Sequence, residues 1–135
     1  MKKLLFITPE LPYPAQSGGK VKSLKLLQAL AERYHVTLAC PLKLDDASFV
    51  EEFHAVSPCC NHLHAAVDVP RSPGSLARSY LRGIPLNVHR TFSPRLQADI
   101  ALVAGEQDVV FLDHYEVFPY LPQNYEGLSV YHAHN

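Results

Sequence analysis

The sequence has no tryptophan, a single methionine and only three cysteines among its 135 residues. Three cysteines cannot all pair, and Cys59 and Cys60 are adjacent, so the sequence disfavours a disulfide framework and predicts free thiols in a reducing cytoplasm. Long apolar runs are also missing, since Leu4 to Ile7 and Val109 to Leu112 are far shorter than the roughly 20 residues that cross a bilayer. We therefore expect a cytoplasmic protein without a membrane-spanning segment.

An excess of charge of one sign is absent as well. Lys and Arg together number 12 against 13 Asp and Glu, which gives a net charge of -1. A dedicated nucleic-acid binder needs a net basic face to displace counterions from phosphates, so that class is disfavoured. With 47% hydrophobic and 19% charged residues, the composition is typical of a folded globular protein, and the length suits one domain over residues 1–135.

Short apolar runs alternate with segments of helical spacing. Several of the runs are apolar on consecutive positions, as in strands buried on both faces of a parallel sheet. The predicted strands are Leu4 to Thr8, Val36 to Cys40, Leu63 to Val69, Val109 to Asp113 and Leu128 to His132; the predicted helices are Val21 to Tyr34, Asp45 to Val56, Ser75 to Leu81 and Pro94 to Ala104. This alternation predicts an α/β fold with a Rossmann-like, doubly wound parallel sheet.

The connection after the first strand is the most informative loop. It runs from Pro9 to Lys20, longer than the roughly two to six residues usual between a strand and a helix, and it ends on Gly18 and Gly19 as the helix begins. Backbone N–H groups and the positive end of the helix dipole then face the carboxyl edge of the sheet, an arrangement that suits phosphate. The phosphate-loop and dinucleotide-binding motifs are both absent. The alternative is that the glycines only permit a tight entry into the helix.

Histidine is abundant, with eight in the chain. His114 follows the fourth predicted strand, and His132 and His134 flank the end of the fifth. We expect all three near the ligand-binding edge, where an imidazole could contact a hydroxyl group or take its proton. The alternative for each is a histidine that only satisfies backbone groups at the end of a strand.

A second group of histidines lies beside the paired cysteines. Cys59 and Cys60 are followed by His62 and His64, with His54 upstream. Structural zinc sites generally pair ligands two to four residues apart in two knuckles, so this spacing favours ordinary residues at the start of the third strand and no metal. A metal-binding regulatory domain is kept as a third possibility, which stoichiometric zinc in the purified protein would reveal.

Five arginines and no acidic residue lie between Val69 and Ala98. Arg78 and Arg82, on the predicted helix Ser75 to Leu81, could form a surface for anionic lipid or for an anionic, lipid-linked acceptor. The alternative is a solvated helical face whose arginines pair with acids elsewhere.

Several of these segments together resemble the amino-terminal half of family-4 glycosyltransferases of the GT-B fold. The resemblance is carried by Leu4 to Pro9, Pro12-Tyr13-Pro14, Ser17-Gly18-Gly19-Lys20, Ser23, Leu27, Ala29-Leu30-Ala31, Val36-Thr37-Leu38, Gly83-Ile84-Pro85, Arg90, Ser93-Pro94, Asp108-Val109-Val110, Asp113-His114 and His134-Asn135. It implies the truncated, acceptor-side half of a two-domain enzyme, with Gly18, Gly19 and Lys20 approaching the donor pyrophosphate.

The resemblance also implies a function. The whole enzyme would be a retaining, hexosyltransferase-like glycosyltransferase of polysaccharide biosynthesis, with His114 as the catalytic residue and His132, His134 and Asn135 near donor or acceptor. It would move a sugar from a nucleotide-sugar donor, a substrate rather than a cofactor, to a glycan or lipid-linked acceptor, at most peripherally at the inner face of the membrane. The donor domain would be missing, so we expect the fragment to be inactive, and the uncovered sheet surface predicts a homodimer. The alternative is a stand-alone, non-catalytic α/β module that binds a phosphorylated ligand.

Overall fold

The computed structural model describes residues 1–66 and 92–132, without the side chains of residues 44 and 45. Its elements in chain order are β1 (Lys2–Ile7), α1 (Gly18–Ala31), β2 (Tyr34–Leu42), α2 (Leu44–Ala47), α3 (Val50–Val56), β3 (Asn61–Ala66), α4 (Pro94–Ala104), β4 (Val109–Asp113), a 3₁₀ helix (Tyr115–Tyr120) and β5 (Leu128–His132).

The five strands form one parallel sheet in the order β3-β2-β1-β4-β5. The strand β1 is central, and the chain crosses from β3 to β4 over it, which is the strand order of a Rossmann-like fold. The predicted α/β, doubly wound parallel sheet is thereby confirmed. The bounds of α4, β4 and β5 are those predicted from the sequence.

Successive residues of β1 pack into two separate cores, one on each face of the sheet. Leu4 and Phe6 belong to a cluster that includes Leu27 of α1. Leu5 and Ile7 belong to a cluster that includes Ile100 of α4. Because neighbouring side chains of a strand point to opposite faces, a consecutive apolar run is what a sheet covered by helices on both sides requires.

The first helix begins earlier than predicted, at Gly18 rather than Val21, and ends at Ala31. Ser17 caps it: the side-chain oxygen accepts a hydrogen bond from the amide of Lys20 at 3.2 Å. Such a cap satisfies one of the four amides that a helix start leaves unpaired, and it places both glycines inside the first turn.

The helix predicted from Asp45 to Val56 is wrong in one respect, because the chain forms two short helices, α2 and α3, instead. The break coincides with a tertiary contact: Asp46 is buried and its carboxylate lies 3.0 Å from the ammonium group of Lys20. After it, the amide of Phe49 donates to the carbonyl of Asp46, which starts a new turn. No periodicity within the segment signals this distant partner.

Two further differences concern the second half of the chain. The 3₁₀ helix Tyr115–Tyr120 was not predicted, and the third strand begins at Asn61 rather than at Leu63. Residues 67–69 of the predicted third strand lie outside the described residues. The predicted helix Ser75 to Leu81 lies outside the described residues. Among the helices that the structure does describe, none is long and apolar enough to cross a membrane.

Candidate functional site

A cavity of about 250 Å³ opens at the carboxyl ends of β1 and β4, beside the start of α1. Ligands of open α/β sheets bind at this edge, where strand order changes direction. Its lining is polar and comprises Thr8, Pro9, Glu10, Gly19, Ser23, Lys43, Asp113, His114 and Glu116.

Asp113 is the centre of the hydrogen-bond network below this cavity. It ends β4 and is fully buried. Its Oδ2 accepts hydrogen bonds from the hydroxyl groups of Thr8, at 3.1 Å, and Ser23. Its Oδ1 lies 3.2 Å from Nδ1 of His132. Because a buried carboxylate is costly without donors, these contacts hold β1, α1, β4 and β5 in one arrangement.

The contact with Asp113 also indicates which tautomer His132 adopts. A carboxylate only accepts hydrogen bonds, so Nδ1 of His132 carries the proton that it shares with Asp113. The His132 side chain is 40% exposed, and its backbone carbonyl accepts the amide of His114 at 3.1 Å. The two histidines predicted from the strand ends are therefore neighbours.

His114 has an unusual backbone conformation, with φ 97° and ψ 149°. This region is populated almost only by glycine, and residues other than glycine that are held there cluster at functional sites. The imidazole lines the cavity, where Nδ1 accepts a hydrogen bond from the amide of Glu116 at 3.4 Å and lies 3.7 Å from its carboxylate. The backbone strain at this position supports a functional role for the site.

Gly19 lines the cavity, and Gly18 precedes it in the first turn of α1. The cap residue Ser17 accepts the amides of Lys20 and Val21, through its side chain and its carbonyl respectively. Within residues 1–66 and 92–132, no hydrogen-bond partner is present for the amides of Gly18 and Gly19, and both glycines are exposed. A Cβ atom added to either would meet nothing within 4 Å, so the backbone here is open to an approaching group.

Lys20 has a different environment from the one predicted. Its ammonium group pairs with Asp46, and the two side chains are only 16% and 7% exposed, so its charge is largely neutralised by the protein. Lys43 instead lines the cavity, 3.7 Å from Glu10. A role for Lys20 in binding a donor phosphate stays a prediction.

The structure brings Gly19, His114 and His132 to one edge of the sheet and places Gly18 beside them. The other predicted site residues, His134, Asn135, Arg78 and Arg82, lie outside the described residues. Sequence reasoning missed Asp113 as the organising residue, together with Thr8 and Ser23. The available signal was that Asp113 and His132 each end a predicted strand; their pairing in the β4–β5 register is visible only in the structure.

Fold and cavity together define a Rossmann-like α/β domain with a polar cleft at the carboxyl edge of its sheet. The chain is similar in structure to the C-terminal domain of a hydrogenase from Pyrococcus furiosus, with a TM-score of 0.62 and 18% sequence identity, over 96% of this chain and 90% of that one. Identity at this level shows a shared fold and no more. No protein-family model matches the chain, and no curated protein matches it.

These comparisons correct the family resemblance drawn from the sequence. The assignment to the amino-terminal domain of family-4 GT-B glycosyltransferases is wrong, because the matching solved structure is a hydrogenase domain and no glycosyltransferase family model matches. The segments that carried the resemblance are largely those that a Rossmann-like sheet itself requires: apolar strands, a glycine-rich first turn and polar residues at strand ends. A resemblance of that kind indicates the fold, and the fold hosts many unrelated functions.

Proposed function

We propose that the cavity binds a small phosphorylated ligand that also carries hydroxyl groups, such as a sugar phosphate. The observation that carries the proposal is the open amide of Gly19, at the start of the helix α1, on the rim of a polar cavity of about 250 Å³. The proposal concerns binding only. Sugar transfer, cytoplasmic location and membrane contact stay predictions that nothing in the described residues tests.

In this proposal, the phosphate lies at the start of α1, where Gly19 lines the cavity. A helix start offers unpaired amides and the positive end of the helix dipole, and α1 runs for 14 residues behind it. Gly18 and Gly19 have no side chain to hold a phosphate away from these amides. A phosphate is thus expected to accept hydrogen bonds from both.

In this proposal, the hydroxyl groups of the ligand contact the acidic side chains that line the cavity. Glu10 and Glu116 supply carboxylate acceptors, and His114 supplies an imidazole. The ammonium group of Lys43 lies 3.7 Å from Glu10 and partly balances the charge of that carboxylate. With Asp113 buried beneath, the inner wall is still acidic, so hydroxyl donors fit it better than a second anionic group does.

The experiment measures binding of a hexose 1-phosphate and of the matching methyl hexoside by titration calorimetry. The Gly18→Pro variant removes one amide donor, and proline suits this position because Gly18 is the first helical residue and the preceding Ser17 is extended, with ψ 161°. A hydrogen bond to a charged group is worth about 1.5–3 kcal/mol, so the affinity for the phosphate should fall about 10- to 100-fold while that for the methyl hexoside stays unchanged.

A second pair of variants separates the site from general effects on the helix ends. Gly19→Ala places a methyl group at the rim and should weaken the hexose 1-phosphate, whereas Gly105→Ala, another position with open space around its Cβ, should not. The proposal is overturned if the wild-type chain does not bind the hexose 1-phosphate at millimolar concentration, or if Gly18→Pro weakens both compounds equally.

A further inference from the structure

We propose that His54 and His64 together bind a transition-metal ion such as Zn²⁺. His54 lies on α3, and His64 lies on β3, the strand at one edge of the sheet. The site is separate from the cavity at β1 and β4 and does not depend on the function proposed for it. The spacing in the sequence favoured ordinary residues and no metal at these histidines, and that expectation stays a prediction against which this proposal is tested.

The distance between the two imidazoles fits shared coordination. The Nε2 atoms of His54 and His64 lie 3.1 Å apart. Two nitrogens bound to one zinc at about 2.0–2.1 Å would be about 2.9 Å apart at a right angle and about 3.3 Å apart in a tetrahedron. The observed separation falls between these values, so the two nitrogens are close enough to share one metal ion. They now face each other in a hydrogen bond, and metal binding would turn both rings so that their lone pairs converge on the ion.

The other nitrogen of His64 is already engaged by the protein. Its Nδ1 lies 3.3 Å from the sulfur of Cys40. Histidines that bind metals usually donate their second N–H to the protein, which fixes the ring and leaves the remaining nitrogen as the ligand. This contact presents Nε2 of His64 towards His54.

The two histidines differ in exposure. His64 on β3 is partly buried, and His54 on α3 is exposed. A metal ion that binds between them is therefore reached from the solvent side, past His54.

Neighbouring groups do not complete a larger cluster. Nε2 of His62 lies 2.8 Å from the hydroxyl of Ser57, although its ring is close to that of His54. Cys40 is fully buried, and its sulfur contacts Nδ1 of His64, the nitrogen that does not face His54. In the described parts of the chain, no group of three or more His, Cys, Asp or Glu side chains is arranged to hold a metal. Within residues 1–66 and 92–132 the site therefore has two protein ligands, and we propose that water or an external ligand fills the other positions.

The test is a titration of Zn²⁺ into the reduced full chain by calorimetry, repeated with Co²⁺ while the visible and near-ultraviolet absorption is recorded. We expect one ion per chain, and a loss of affinity of at least about tenfold in both His54→Gln and His64→Gln, because each removes one of two protein ligands. His62→Gln and His35→Gln should bind as the wild type does. Zinc should also raise the thermal midpoint of the wild type but not of His54→Gln, since a ligand that binds only the folded chain stabilises it.

Cysteine provides the main competing ligand, and Cys60 is exposed. Cys60→Ser should retain zinc binding, and the cobalt spectrum should lack the intense near-ultraviolet bands of thiolate coordination. The proposal is overturned if no saturable binding of one ion is found, if Cys60→Ser abolishes binding, or if His62→Gln weakens it as much as His64→Gln does. His54 is exposed, so its variant is expected to fold, which far-ultraviolet circular dichroism checks.

Discussion

The backbone strain at His114 leads to a prediction about stability that is separate from the imidazole. We compare His114→Gly with His114→Ala. Both remove the contact with Glu116, but only glycine adopts φ 97° and ψ 149° without steric cost. Any difference in stability between the two variants therefore reports the backbone.

The expected difference follows from two opposing contributions. A residue other than glycine held in this region costs about 1–3 kcal/mol, and alanine keeps that cost. Glycine relieves it but loses about 0.5–1 kcal/mol through the greater freedom of the unfolded chain. The glycine variant should thus be the more stable by about 1 kcal/mol, which corresponds to roughly 3–5 °C in the midpoint of thermal unfolding for a domain of this size.

The assay is equilibrium unfolding in urea, with thermal unfolding as a second measurement. His35 provides the control because it is exposed on β2, where the backbone is ordinary strand. There His35→Gly should be less stable than His35→Ala, since glycine weakens a strand. If glycine is no better than alanine at position 114, the conformation is not strained and the structural support for a functional His114 is lost. Both variants at position 114 should bind the hexose 1-phosphate more weakly than the wild type.

Other predictions concern buried hydrogen bonds. The hydroxyl of Tyr120 accepts a hydrogen bond from the amide of Ser93 at 2.8 Å. Tyr120→Phe should therefore lower the free energy of unfolding, measured in urea, by about 1–3 kcal/mol. An unchanged free energy would show that the amide finds another partner. Burial raises the pKa of Tyr120 to about 12, and the hydrogen bond from the Ser93 amide partly opposes this rise. The folded chain therefore favours the neutral phenol, so the free energy of unfolding should fall as the pH rises from 10 towards 12. The fall should be smaller in Tyr120→Phe, which lacks the ionisable group. Ser23→Ala removes a hydrogen-bond donor to the buried carboxylate of Asp113 and should lower the free energy of unfolding by about 1.5–3 kcal/mol. The control Ser129→Ala, at an exposed position of β5, should lower it by less than about 0.5 kcal/mol. Equal losses in the two variants would show that the hydrogen bonds to Asp113 do not stabilise the fold.

Most of the fold could be predicted because its signals are local. Consecutive apolar residues mark the strand Val109–Asp113, and Ser93 followed by proline marks the start of α4, whose side-chain cap is observed. The division of the predicted helix into α2 and α3 was not predictable, because it accompanies the pairing of Asp46 with Lys20, which lies on another helix. The 3₁₀ helix that contains Pro119 has too few turns for a periodic pattern.

The candidate site was only partly predictable. Strand ends locate ligand sites in α/β proteins, and that rule correctly grouped Gly19 with His114 and His132. It did not predict that Lys20 pairs with the buried Asp46, since a lysine beside glycines looks the same in sequence with or without such a partner. The contact between His54 and His64 likewise depends on how α3 packs on β3, which their spacing in the sequence does not contain.

The central position of β1 has a consequence for biosynthesis. One edge of this strand pairs with β4, where Leu4 aligns with Val109, and the amide of Lys3 donates to Asp108 across 105 positions of the chain. A nascent polypeptide leaving the ribosome therefore carries its first strand half unpaired until β4 has emerged. Since long-range parallel pairing is slow, Leu4 to Ile7 should stay open to aggregation during that interval.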